Sequence, residues 1–343
     1  MHLLNTLYVT TPESRLRLDN DTLRVELEEE TRLRVPLHHL QAVVCFGHVS
    51  LSTPLMHRLA ESGIALVLLN ANGRFMARLE GAVSGNVLLR QAQHRLATDD
   101  PPRALALARA IVAGKLKSQR QVLLRGSRDA KTAEERAPLD RAAQDLAASL
   151  RTLPAADKLD TLRGVEGEAA RTYFETLNRL VRADQREAFT MNGRTRRPPR
   201  DRMNALLSFL YAMWMNDCRS ACEAAGLDPQ VGFLHALRPG RAALALDLVE
   251  EFRPFADRLA LSLVNRGQIG VDDFDVRVGG AVALRDEGRK TVVVAFQERK
   301  QETLTHPLFT EPLALGLVPL VQARLLTRCV RGDTDAYLPF TTR

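Results

Sequence analysis

The chain has 343 residues, 45% of them hydrophobic and 26% charged, a balance typical of a soluble globular protein long enough for two domains. Its net charge of +7 and isoelectric point near 9.6 favour an anionic partner, nucleic acid ahead of membrane. No basic segment leads into a long apolar run at the N-terminus, and no uncharged apolar stretch approaches the ~18 residues of a membrane span, so a soluble, cytoplasmic protein is expected.

Residues 1–83 read as β-rich. Short segments recur at Leu3–Val9, Arg15–Leu18, Thr22–Leu27, Thr31–Val35, Val43–Phe46, Ala65–Leu69 and Phe75–Glu80, and several of them alternate apolar with polar. Asn20-Asp21 and Asn72-Gly73 mark turns between them. One helix fits over Thr53–Ser62, with Pro54 in its first turn and Gly63 at its end.

From Asn86 onward the period becomes helical. Helices are expected over Asn86–Leu96, Arg103–Arg125, Glu134–Leu150, Val165–Val181, Met203–Gly226, Ala242–Val264 and Leu313–Val330. Two stretches break the pattern. Ala188–Arg202 carries five arginines and two prolines and reads as a basic loop. Arg266–Lys300 is mixed, with Gly279-Gly280 and the run Thr291–Phe296 suggesting a short β element or a mobile segment. The expected class is therefore α+β, with a small β-rich domain over 1–83 and a larger, mainly helical domain over 84–343.

Four cysteines occur, and only Cys218 and Cys222 lie close together. No second Cys or His pair completes a zinc pattern, so reduced thiols in the core are expected. A phosphate-binding glycine loop, a dinucleotide fingerprint and a nucleophile elbow are all missing.

The remaining chemistry lies in three places. Glu166 starts an otherwise apolar helical stripe of Ala170, Tyr173, Leu177 and Leu180. A carboxylate there calls for a cation or strong donors, although complementing the helix dipole also explains it. His235 lies between two helical patterns near a Pro-Gly turn, where an ordinary structural histidine is the simpler reading. Asp247 and Glu250 stand one helical turn apart, close enough for both to reach one hard cation, and Arg253 follows Glu250 at the same spacing. A histidine with two or three carboxylates suits Mg²⁺ or Mn²⁺, and such a site can activate a phosphodiester. Arg196, Arg197, Arg200 and Arg202 can hold phosphates bidentately, or form a solvated loop.

The segments GVEGEAARTYF (164–174), RRPPRDRMNALLSFLY (196–211), GLDPQVGFLHALRPGR (226–241) and LALDLVEEFRP (244–254) occur in this order. They resemble the universal CRISPR-associated endonuclease/integrase family, and the likeness extends over nearly the whole chain. The short form is similar to the type I-C branch. The resemblance implies a metal held by Glu166, His235 and Glu250, with Asp247 assisting. It implies a homodimer formed by the N-terminal domain, a small ferredoxin-like partner, and DNA as substrate. It also implies an activity: attack of a short duplex's 3′-hydroxyls on the phosphodiesters of a repeat. Alternatives from the residues alone are a nuclease of branched DNA in repair and a non-catalytic nucleic-acid scaffold.

Overall fold

The computed structural model describes residues 6–71, 73–79, 81, 87–309 and 311–341. The first strand expected from Leu3, Asn72 of the expected turn, the strand end at Glu80 and the domain boundary at 83/84 lie partly or wholly outside these residues.

The N-terminal region holds two four-stranded sheets. In the first, β1 (Thr6–Val9), β5 (Ala42–Phe46) and β7 (Ala65–Leu69) are parallel, and β8 (Phe75–Leu79) closes the edge antiparallel. The second is a meander of β2 (Arg15–Asp19), β3 (Thr22–Leu27) and β4 (Glu30–Pro36), to which β6 (Ser50–Leu51) adds in parallel beside β2. Helix α1 (Thr53–Glu61) crosses from β6 to β7.

The sequences of β5 (AVVCF) and β7 (ALVLL) lack alternation because both faces of their sheet are buried. Val43, Cys45 and Leu66 face a small core with Leu16, Leu23, Leu55 and Leu59. Val44, Phe46, Val67 and Leu69 face the other way, into the large core of the helices. The sheet thus packs directly on the helical part: the Phe46 and Phe209 rings lie 5.6 Å apart, and Arg78 pairs with Glu223.

The helical part begins with α2 (Val87–Asp99), α3 (Pro101–Asp129), α4 (Ala133–Thr152), α5 (Leu159–Leu177) and α6 (Ala183–Phe189). It continues with α7 (Arg202–Ala224), α8 (Ala243–Val249), α9 (Arg253–Asn265), α10 (Asp286–Gln301) and α11 (Val318–Arg331). Helix α7 is the central rod, buried along most of its length, with the Trp214 ring stacked on Phe252 at 5.0 Å and edge-to-face with Phe296 at 5.1 Å. All four cysteines are buried thiols.

Three expectations are corrected. The single helix over Ala242–Val264 is two helices, because Pro254 lacks the N–H that Glu250's carbonyl would accept and its ring crowds that carbonyl. The backbone from Glu250 to Phe252 tightens instead into i→i+3 bonds. The run Thr291–Phe296 is not β but lies within α10. There Val292, Val293 and Phe296 are buried, acidic residues open the helix and basic ones close it. Burial and end charges override β propensity. Finally, residues 312–314 form strand β12 (Pro312–Ala314) paired with β11 (Thr303–Thr305), and the last helix starts only at Val318, ahead of Pro319. The glycine pair at 279–280 does close a hairpin of β9 (Phe274–Val276) and β10 (Val282–Leu284).

Candidate active site

His235 sits on the irregular segment between α7 and α8, and buried side chains hold that segment at several points. Gln93 of α2 donates to the carbonyls of Asp228 and Val231 and accepts from the Asp228 N–H. Arg163 of α5 donates twice to the Leu234 carbonyl, at 3.0 and 2.7 Å. Asp247 of α8, fully buried, accepts from the N–H groups of Phe233 (2.5 Å), Leu234 (3.0 Å) and His235 (2.9 Å). Gly232 allows this close approach: a Cβ there would lie 2.6 Å from the carbonyl carbon of Ala243 and 2.7 Å from Asp247 Oδ2. A backbone segment that could not pair with itself therefore finds its hydrogen bonds in side chains.

Asp247 has a further partner, since His235 Nδ1 lies 2.7 Å from its Oδ1. A carboxylate only accepts, so Nδ1 carries a proton, and in the neutral imidazole the lone pair is on Nε2. Nε2 lies 3.9 Å from Glu250 Oε1. The expectation that Asp247 and Glu250 could both reach one cation does not match this geometry. Asp247 spends both oxygens on the His235 segment, and Glu250 alone of the two looks into the site.

Glu250 caps α8 at the break before Pro254 and is buried. Its Oε1 accepts from Arg253 Nε at 2.8 Å, and its Oε2 lies 2.6 Å from Lys115 Nζ. Burial alone would raise its pKa, but Arg253, Lys115 and His235 outweigh it and hold the carboxyl far below the usual range. Glu166, one turn after Arg163 on α5, meets the same Lys115 ammonium. Burial opposes the charge on Lys115, and Glu250 and Glu166 more than restore it, so its pKa is raised.

Beneath these groups, Asp257 of α9 accepts from Tyr173 of α5 at 3.0 Å and Tyr211 of α7 at 2.5 Å. This ties together the helices that carry Glu166 and Arg253. The Arg253 guanidinium lies 4.5 Å above the Tyr211 ring. Burial pushes the Asp257 carboxyl up to about 6, against the two tyrosine hydrogen bonds. A second buried cluster anchors the C-terminal segment, where Glu251 accepts from Tyr337 and from the Phe340 N–H.

The four loop arginines behave differently from one another. Arg196 and Arg197 are exposed. Arg200 is exposed but donates to the Gly279 carbonyl. Arg202 opens α7 and turns back to the Ala188 carbonyl at 3.2 Å, so it is half-buried. Sequence reasoning missed Lys115, Gln93, Arg163, Arg238 and Arg241. The pKa of Arg241 is lowered by desolvation and then by the charges of Arg238, Arg163 and Arg197, so these three cations lie within electrostatic reach of it. The available signal was a charge inside an apolar helical stripe, visible for Lys115 between Ile111 and Val122.

Residues 7–298 match the family model of CRISPR associated protein Cas1. The chain belongs to the Cas1 family. It is 54% identical to "CRISPR-associated endonuclease Cas1 1" of Moorella thermoacetica over 345 aligned residues, all of both chains. Its identity to the protein of the same name from Chlorobaculum tepidum is 46%, over 99% of each chain. Among solved structures, a chain of a "Cas6-RT-Cas1--Cas2 complex" matches with a TM-score of 0.82 and 27% identity, over 98% of this chain and 36% of the other. The β-rich N-terminal part and larger helical part match this fold.

The donors at this Cas1 site fit a hard divalent cation. Glu250 Oε2 is buried and meets a single cation, the Lys115 ammonium at 2.6 Å. His235 Nε2 is an imidazole lone pair fixed by a carboxylate on the opposite nitrogen, as for metal-ligating histidines. Among the described residues no three His, Cys, Asp or Glu side chains already form a closed cage. The reason is geometric: an ammonium separates the two carboxylates.

Proposed function

We propose that this chain is a metal-dependent DNA endonuclease and integrase of CRISPR adaptation, with Glu166, His235 and Glu250 as metal ligands. The observation that carries the reading is the meeting of three groups from three separate segments. Glu166 and Glu250 share one cation, and His235 Nε2 faces Glu250. The endonuclease names of the full-length relatives support it. Mg²⁺ or Mn²⁺, when bound, supplies Lewis acidity to a phosphodiester and lowers the pKa of an attacking water or 3′-hydroxyl.

The chain's own residues do the rest. Asp247 is a positioning residue that keeps the proton on His235 Nδ1. Arg253 fixes one oxygen of Glu250 and leaves the other turned toward Lys115. Arg196, Arg197 and Arg200, with Arg238 and Arg241, provide positive charge for the DNA backbone around the site. Arg202 joins them in the same basic stretch, although its guanidinium is tied to Ala188.

The N-terminal region is the surface we assign to a homodimer, since β4 leaves Glu30–Arg34 exposed at the edge of its sheet. The partner we assign is a small ferredoxin-like protein; the structural relative, a complex named for both Cas1 and Cas2, supports a partner of this kind. Within the family we assign the chain to the type I-C branch. No helix among the described residues is long and apolar enough to cross a membrane.

The test is His235→Ala in a strand-transfer assay with a repeat duplex, the small partner and Mn²⁺. Transfer and cleavage are expected to fall to background while duplex binding persists. Activity that survived this change and Glu250→Ala would leave the nucleic-acid scaffold as the better reading. Cleavage of branched DNA without transfer would favour the repair nuclease.

A further inference from the structure

Lys115 lies in the middle of helix α3, on a face it shares with buried Ile111, Gln119 and Val122, and only 6% of its side chain is exposed. An ammonium is rarely buried without a partner, because desolvation strongly disfavours its charge. Its two partners here are Glu166 on α5 and Glu250 at the end of α8. Those are the two carboxylates assigned above to the metal. Three helices thus meet at one positive charge, and that charge belongs to the protein.

We propose that Lys115 is an internal counter-ion of the metal site, which holds Glu166 and Glu250 together before a divalent cation arrives and is displaced when it binds. The inference rests on the metal-site reading. Three features support it. The ammonium touches both carboxylate ligands. Its contact with Glu250 Oε2, at 2.6 Å, is an ammonium–carboxylate ion pair, in which another cation can take the ammonium's place. Charge counting fits the exchange: Lys115 and Arg253 together neutralise Glu166 and Glu250, and a divalent ion in the ammonium's place leaves one positive charge for an incoming phosphate.

Two consequences follow. Metal binding must break two buried ion pairs and place a dication near an ammonium, so Lys115 weakens metal affinity while it preorganises the carboxylates. The displaced ammonium is then left without an anion at the site. A DNA phosphate entering beside it can supply one, so metal and DNA reinforce each other's binding.

A purely structural lysine predicts something different, namely that its loss destabilises the protein and leaves metal affinity unchanged or weaker. The experiment is calorimetric titration of Mn²⁺ into the full-length wild type, Lys115→Met, Lys115→Gln and Lys115→Arg, with thermal unfolding in chelator and in saturating Mn²⁺. Met keeps the linear apolar stem, and Gln serves where Met does not fold. Lys115→Met or Lys115→Gln is expected to bind Mn²⁺ at least about tenfold more tightly than wild type. It should also melt lower in chelator and gain more from Mn²⁺. Lys115→Arg, which keeps the charge, should show no such tightening. Unchanged or weaker Mn²⁺ affinity in folded Met and Gln variants overturns the proposal while leaving the metal site standing. Wild type that binds no Mn²⁺, or binds it equally after His235→Ala, overturns the metal reading and this inference with it.

Discussion

Replacing Asp247 by Asn changes no shape and removes one acceptor oxygen, which makes it the sharpest probe of the His235 segment. Oδ1 accepts from His235 N and Nδ1, and Oδ2 accepts from Phe233 N and Leu234 N. An amide can keep only one of these two sets. If its nitrogen takes the Oδ2 place, two buried N–H groups lose their acceptor, at about 1–3 kcal/mol each. If it takes the Oδ1 place, only the His235 N–H is orphaned, because the imidazole can change tautomer and let Nδ1 accept from the new amide. The second arrangement costs roughly half as much and should prevail. It moves the imidazole proton to Nε2, the nitrogen that faces Glu250. Asp247→Asn is therefore expected to lose about 1–3 kcal/mol of stability and roughly 10–100-fold in Mn²⁺ affinity, with cleavage falling in parallel. Urea unfolding, Mn²⁺ calorimetry and a plasmid-nicking assay measure the three effects. Wild-type Mn²⁺ affinity in the folded variant would refute the tautomer argument, and with it the positioning role of Asp247.

Asp257→Asn should alter the pH dependence of stability. The folded carboxyl near 6 lies about 2 units above its ordinary 3.8, so between those values the fold holds a proton that the unfolded chain releases. Wild-type stability therefore contains a contribution that is present at low pH and lost as pH rises toward 6, about 3 kcal/mol in all. The neutral amide lacks this contribution. The stability difference should accordingly move in the variant's favour from pH 4.5 to 7 in urea titrations, and a constant difference would contradict the assigned burial effect. Changing Arg196, Arg197, Arg200 and Arg202 together to Ala should flatten the plot of log binding constant against log salt for duplex DNA. Each phosphate contact contributes a slope of about 0.9, and Arg202 points inward, so a loss of about two to three is expected rather than four. An unchanged slope would remove these arginines from the DNA surface.

The parts of this protein that were legible in its sequence are those where one residue type serves one local purpose. The strands AVVCF and ALVLL announce themselves by composition, and α1 by the proline that opens it. Glu166 and His235 stood out as a charge in an apolar stripe and a histidine in a turn, yet each had an ordinary local explanation. What assembles them is not local. Arg163 reaches the carbonyl of Leu234, and Lys115 reaches Glu166 and Glu250 across three helices. Periodicity places each side chain on a face but does not say which faces meet. The run Thr291–Phe296 misled for a related reason. Its β-branched residues are helical because Val292, Val293 and Phe296 are buried there, and that burial is set by elements far away in the chain.

The break between α8 and α9 shows how one backbone fact can place several functional groups at once. Pro254 ends the i→i+4 ladder at Glu250, so Glu250 becomes a helix cap rather than a mid-helix residue. Arg253 opens the next helix and folds back to hold Glu250 Oε1 at 2.8 Å, while Glu251 turns the other way to bind Tyr337 and the Phe340 N–H. A continuous helix would place residues 250 and 251 about 100° apart on one rod. At the break, neighbouring carboxylates serve opposite sides, one facing Lys115 and His235 and the other anchoring the C-terminal segment. The stacked rings of Trp214, Phe252, Phe255 and Phe340 fill the space behind the break and fix its angle. The position of Glu250 thus depends on a core built mostly of aromatic side chains, and the charged groups it meets are arranged around a carboxylate that cannot move far.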